Sequence, residues 1–216
     1  MDTKPRPAVD VILAPDGDPI DKGLVLRWEI AAFFVINFFA GVLHFVFELS
    51  DFAPWVAVFG SVNESTFEHL KLYFWPALVF ALIQHAYARG KMNNFWWGKG
   101  LAMLVTPLAL MLAFYFYLGI AIPLTGEGRL FFDIGSGVFG VLVGNVVSYR
   151  ILTSPPKPKG YATAGWVIIG VLALHLATAA WLYPEFFLYE NFWGYEYSGQ
   201  YGILEDYTPY LIFTGR

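Results

Sequence analysis

The chain has 216 residues, 57% of them hydrophobic, 19% aromatic and only 14% charged, with a formal net charge of -4 and a mean hydropathy of +0.54. Soluble domains carry about 25% charged residues, so water-soluble folds, disorder and coiled coils are disfavoured, and the acidic balance argues against nucleic acid as a partner. With no cysteine, disulfide frameworks, iron–sulfur clusters, thiolate zinc sites and cysteine catalysis are excluded.

Crossing a bilayer takes about 20 mostly apolar residues, and five stretches qualify, at about 26–49, 67–88, 101–122, 130–152 and 161–182. The fold class they predict is all-α, a polytopic transmembrane helical bundle of five spans. A polar tail at 1–25 precedes the bundle and an aromatic-rich tail at 183–216 follows it. Lysine and arginine bias sets the orientation. Lys4, Arg6, Lys22, Arg27, Arg89, Lys91, Lys99, Arg150, Lys157 and Lys159 fall on one side, and only Lys71, Arg129 and Arg216 on the other. This puts the N-terminus in the cytoplasm and the C-terminus outside the cell membrane. The apolar stretch 51–62 is too short to cross and reads as an outer-surface or re-entrant loop. The 183–216 tail holds seven tyrosines, including Tyr189, Tyr195, Tyr197 and Tyr201. It reads either as an aromatic cap on the outer interface or as a docking surface for a partner subunit.

Ionisable residues inside a bilayer are costly and mark functional sites by default. The predicted orientation gathers them near the outer face. His44 and Glu48 lie in the outer third of span one, and Glu64, Glu68, His69 and Lys71 at the outer start of span two. Asp133 lies about one turn into span four, and His175 about two turns below the outer end of span five. On span one, Asn37, Gly41, His44 and Glu48 form a stripe about 60° wide. On span four, Asp133 heads a matching stripe of Gly137, Gly140 and Gly144, whose small residues let a neighbouring helix approach closely.

This pattern makes His44, Glu48, Asp133 and His175 candidate nitrogen–oxygen ligands for a divalent metal, zinc, iron or manganese. Glu68 or His69 is the candidate general base on a metal-bound water, and Lys71 the group that steadies an anionic headgroup. Ser61, Asn63 and Glu64 read as the cap of span two, Ser61 and Glu64 having capping-box spacing.

The run Asn63-Glu64-Ser65, then Glu68-His69-Leu70-Lys71, then Phe74-Trp75-Pro76 resembles the signature of a family of small bacterial multi-span membrane proteins of unknown function. That resemblance implies a bacterial inner-membrane location and marks this stretch as the family's hallmark. The Asn-Glu-Ser run shortly before His-Leu is also similar to progestin/adipoQ-receptor-type membrane hydrolases, a likeness that implies metal-dependent hydrolysis. The expected function is therefore a polar, metal-binding site in the outer half of the bundle that hydrolyses a lipid or lipid-linked substrate. The alternatives are a non-catalytic accessory subunit of a larger membrane complex and a small transporter or channel. All of these site expectations require that polar side chains from separate spans meet.

Overall fold

The computed structural model describes residues 11–193 and 195–204. Lys4, Arg6, Arg216 and the part of the aromatic tail at 205–216 lie outside the described residues. In chain order come α1 (Lys22–Leu49), a 3-10 turn (Pro54–Val58), α2 (Thr66–Ala88), a second 3-10 turn (Arg89–Lys91), α3 (Phe95–Thr125), α4 (Leu130–Leu152), α5 (Gly160–Thr178), β1 (Glu190–Trp193) and β2 (Glu196–Tyr201).

The five helices match the five predicted stretches. Four of them, α1, α3, α4 and α5, are long and apolar enough to cross a membrane. Phe34, Phe38, Leu112, Phe116, Val171 and Leu174 stand exposed on their outer faces, a surface suited to hydrocarbon and not to water. The less apolar helix, α2, is the most enclosed, with 12 of its 23 residues buried against 3 of 19 in α5. A helix surrounded by protein can carry Glu68, Lys71 and Gln84 without presenting them to lipid, provided each finds a partner.

Two predicted boundaries shift. Helix α3 begins at Phe95, so Lys99 is not a loop cation but a buried residue inside the helix. Helix α5 ends at Thr178, four residues short of the predicted span. The protein is mostly helical, and to the helices the C-terminal segment adds an antiparallel hairpin pairing Phe192 with Tyr197 and Trp193 with Glu196. Its tight connection takes Tyr195 through a left-handed conformation, φ 69°. The hairpin sits on its own bundle: Phe192 meets Phe114 of α3 edge to face, and Tyr189 stacks on Phe67 of α2.

Close helix contacts follow the glycines. A Cβ on Gly140 would lie 2.7 Å from the Thr106 carbonyl oxygen of α3, so the stripe on α4 is what brings these helices together, as small-residue packing requires. The crossing of α3 and α5 is tighter still. Gly100 faces Gly165, and a Cβ on Gly100 would stand 2.6 Å from the Gly165 carbonyl oxygen. Backbone cannot rotate away as a side chain can. Gly100→Ala is therefore expected to lower stability by about 1–3 kcal/mol through overpacking. Gly119→Ala, on the same helix with nothing within 4 Å of its Cβ, should be neutral or stabilising by up to about 1 kcal/mol through helix propensity. Thermal unfolding midpoints of the two variants in one detergent check the difference.

The links sort to two ends. At one, Lys91 pairs with Asp16 and Asp18, and Asn94 reaches the Ser154–Lys157 link through its side-chain amide. At the other, the 51–62 loop folds over the helix ends, with Val56, Ala57 and Val62 buried against Phe47 and Ala180. That second end carries the candidate site.

Candidate functional site

Helix α2 starts with Ser65 as its N-cap, the Ser65 hydroxyl accepting from the Glu68 amide at 3.2 Å. The predicted cap of Ser61, Asn63 and Glu64 is thereby displaced by two to four residues. Ser61 Oγ donates to the Asn63 carbonyl (2.7 Å), Asn63 Oδ1 accepts from the Ser65 amide (2.8 Å), and Asn63 Nδ2 donates to the Gly202 carbonyl beside the hairpin (2.7 Å). These bonds tie the approach to α2 into a rigid turn. They also release the Glu64 side chain from capping, while its backbone amide donates to Asn191 Oδ1 at 2.9 Å.

Glu64 instead meets two histidines. His69 lies in the first turn of α2, where its Nδ1 stands 2.8 Å from the Ser65 carbonyl oxygen. A carbonyl only accepts, so Nδ1 carries a proton, and when the ring is neutral Nε2 presents its lone pair. That lone pair faces His44 Nε2 of α1 at 3.2 Å and Glu64 Oε2 at 3.4 Å, while His44 Nε2 and Glu64 Oε2 are 3.8 Å apart. The centre of this triangle lies about 2.0 Å from each corner, the length of a zinc–nitrogen or zinc–oxygen bond. His44, Glu64 and His69 thus form a group that could hold a metal ion. A backbone carbonyl that fixes the tautomer of a histidine is also the usual support of a metal-ligating imidazole.

The triad lines a cavity of about 500 Å³ between α1, α2, α3, α4 and the hairpin. Asp133 of α4 shares this cavity. Its Oδ2 accepts from the Tyr195 hydroxyl at 2.7 Å, and its Oδ1 is buried without a hydrogen-bond partner among the described residues. Burial, reinforced by the bond to Asp133, pushes the Tyr195 phenol above the ordinary tyrosine range, so it stays a donor at neutral pH. Apolar wall comes from Ala40, Phe45, Leu72, Phe114 and Val138.

The structure therefore brings together His44, His69 and Asp133 among the predicted site residues and adds Glu64. Four others stand elsewhere. Glu48 is half-buried on α1, one turn past His44, and has no part in the triad. His175 points to the opposite side of α2, with Nε2 2.6 Å from the Tyr189 hydroxyl and its ring against Phe67. Glu68 and Lys71 form a buried ion pair with each other. Glu68 Oε2 also accepts from the Val62 amide at 3.1 Å, and Lys71 Nζ donates to the Ala57 carbonyl at 2.8 Å. These contacts clamp the 51–62 loop on the head of α2. They leave no face of Lys71, 0% exposed, for a headgroup.

Sequence reading missed two features. Tyr195 had no signal beyond the tyrosine content of its tail. Towards the other end of the bundle, Glu29 of α1, Gln84 of α2 and Lys99 of α3 form a second buried cluster. Lys99 Nζ donates to Glu29 Oε1 at 2.7 Å and Gln84 Nε2 to the same oxygen at 3.1 Å. A charged residue within an apolar span was the available hint.

The model of a family of unknown function (DUF6512) matches residues 22–203, and the chain belongs to that family. This is consistent with the expectation of an uncharacterised family. No curated protein and no solved structure matches the chain, so the likeness to progestin/adipoQ-receptor-type hydrolases gains no support from these comparisons.

Proposed function

We propose that this member of the DUF6512 family is a membrane hydrolase with five crossings and a single divalent metal, zinc, iron or manganese, held by His44, Glu64 and His69 in the outer half of the bundle. The observation that carries the reading is the triangle of ligand atoms, whose centre stands about 2.0 Å from each of three donors. Three protein ligands leave a coordination position for water, the arrangement of catalytic and not of purely structural sites. A bound divalent ion polarises a carbonyl or phosphoryl oxygen and lowers the pKa of water.

The rest is the work of this chain's own residues. Asp133, which lines the same cavity and whose Oδ1 has no hydrogen-bond partner among the described residues, takes up the proton of the attacking water, while Tyr195 holds the carboxylate in place through Oδ2. The apolar wall favours a lipid or lipid-linked substrate. Of the basic residues in the links and end turns of the helices, Lys22, Arg27, Arg89, Lys91, Arg150, Lys157 and Lys159 group at the opposite end of the chain's spans from Arg129, which supports a cytoplasmic N-terminus and a site opening to the exterior.

Elemental analysis of protein purified from cells grown with zinc, manganese and iron tests the metal. One equivalent per chain is expected. A rival arrangement is a metal-free triad in which His44 Nε2–H donates to His69 Nε2, consistent with His44 Nδ1 having no hydrogen-bond partner among the described residues; a metal content near zero after supplementation would establish that arrangement instead. Asp133→Asn tests the chemistry. It should keep the metal and lose about 10²–10⁴-fold of turnover on a lipid ester.

A further inference from the structure

A second cavity, of about 220 Å³, runs through the bundle on the far side of Tyr73 and Leu110, which border both cavities. Along α3 its lining extends from Lys99 to Met111, a rise of about 18 Å at 1.5 Å per residue. Walled along about three turns of α3, with α2 and α5 opposite, the space is taken as a tube running along the helices, which suits a linear occupant. Ala77, Phe80, Met103, Leu110, Leu172 and Leu176 give it an apolar wall.

The end of the tube towards the Glu29 cluster is not apolar. Lys99 lines it there, 5% exposed. The lysine ammonium has three N–H donors, and Glu29 Oε1 is its one hydrogen-bond acceptor among the described residues. The Phe95 ring, its centroid 5.8 Å from Nζ, gives the cation a further, weaker contact, but no second hydrogen-bond acceptor reaches it among the described residues, a shortfall that an acceptor in the tube would make good. Glu29 already balances the positive charge, so a carboxylate would bring an uncompensated negative charge into the bundle. A neutral oxygen would not. Asn145, whose Nδ2 donates to the Glu29 carbonyl at 2.8 Å, borders the same end.

We propose that this tube is a binding site for one neutral, single-chain lipid with a carbonyl head: the hydrocarbon chain lies along α3 between α2 and α5, and the carbonyl oxygen accepts from Lys99. The site is independent of the metal triad. Metal can be present without it and the reverse.

Native mass spectrometry of the detergent-released full chain, titrated with methyl palmitate, free palmitate or octadecane, provides the test. The expected result is a one-to-one methyl palmitate adduct. Ala77→Phe plugs the tube wall without touching the Lys99–Glu29 pair and should weaken that adduct by about tenfold or more, with metal content and helical circular dichroism unchanged. The double variant Glu29→Gln/Lys99→Met removes both charges together, which avoids a stranded ion. It should lose about tenfold for the ester and nothing for octadecane. No ester adduct, or an adduct equally strong in Ala77→Phe, overturns the site. Palmitate binding more tightly than its ester overturns the neutral head and assigns Lys99 to anion binding.

Discussion

His69→Ala is expected to empty the metal site, lowering affinity at least about 100-fold, or about 2.7 kcal/mol, so that the purified variant carries less than a tenth of the wild-type metal. Both shorter edges of the ligand triangle, 3.2 and 3.4 Å, meet at His69 Nε2, and His69 is the ring whose tautomer is fixed by the Ser65 carbonyl. Alanine removes the one donor that is already oriented. Glu64→Gln should act in the same direction, because a neutral amide oxygen replaces the carboxylate that balances the ion. Three controls sharpen the result. Ser65→Ala keeps the carbonyl that orients His69 and removes only the capping hydroxyl, so it should cost about 1 kcal/mol of stability and leave the metal in place. Glu48→Ala and His175→Ala should also leave it in place, since neither side chain reaches the triad. Elemental analysis of the five proteins separates these cases. Retention of metal in His69→Ala would remove the triad as the metal site, and loss in His175→Ala would restore the ligand set read from the sequence pattern.

Some of this architecture was legible in sequence because it is local. Contiguous apolar stretches announce helices irrespective of their neighbours, and the predicted fourth stretch coincides with α4, Leu130–Leu152. The glycine stripe beneath Asp133 was likewise readable from helical periodicity, and its close contact with α3 follows from it. The site was legible in part. His44, His69 and Asp133 could be placed at one depth, but rotation about each helix axis could not be known. His175 lies at a comparable depth and faces Tyr189 and Phe67 instead. Glu64 was hidden by a plausible local role: a carboxylate three residues after a serine looks like a capping box. Once the helix starts at Thr66, the same carboxylate turns towards the histidines instead. The Glu29–Lys99 pair was out of reach, since its partners are 70 residues apart and no spacing rule joins them. The hairpin carries short strands with aromatic residues on both faces, a pattern too weak to compete with an interfacial coil.

Lys71→Met alone is expected to destabilise the protein by about 3–5 kcal/mol, the cost of leaving a buried carboxylate without its cation. Lys71 is 0% exposed and Glu68 3%. After the substitution the Val62 amide is the one donor left to the Glu68 carboxylate among the described residues, and the Ala57 carbonyl loses the Lys71 ammonium. Glu68→Gln/Lys71→Met should recover most of that loss, because a neutral side chain can still accept from Val62 and methionine fills the lysine's volume. The comparison distinguishes a clamp from a catalytic or headgroup role for the pair, roles that predict loss of activity in the double variant as severe as in the single ones. A clamp predicts more. Val62 is two residues from Glu64. In Lys71→Met the stranded Glu68 charge turns out towards water and leaves the Val62 amide, which loosens the 51–62 loop and lets the Glu64 carboxylate leave the histidines, so metal content falls along with the unfolding midpoint. In the double variant the loop stays anchored through Val62 and the metal returns. Unfolding in detergent and elemental analysis, run on the same three preparations, read both effects. If stability recovers in the double variant while the metal does not, the pair contributes to the metal site directly and the clamp is the wrong description.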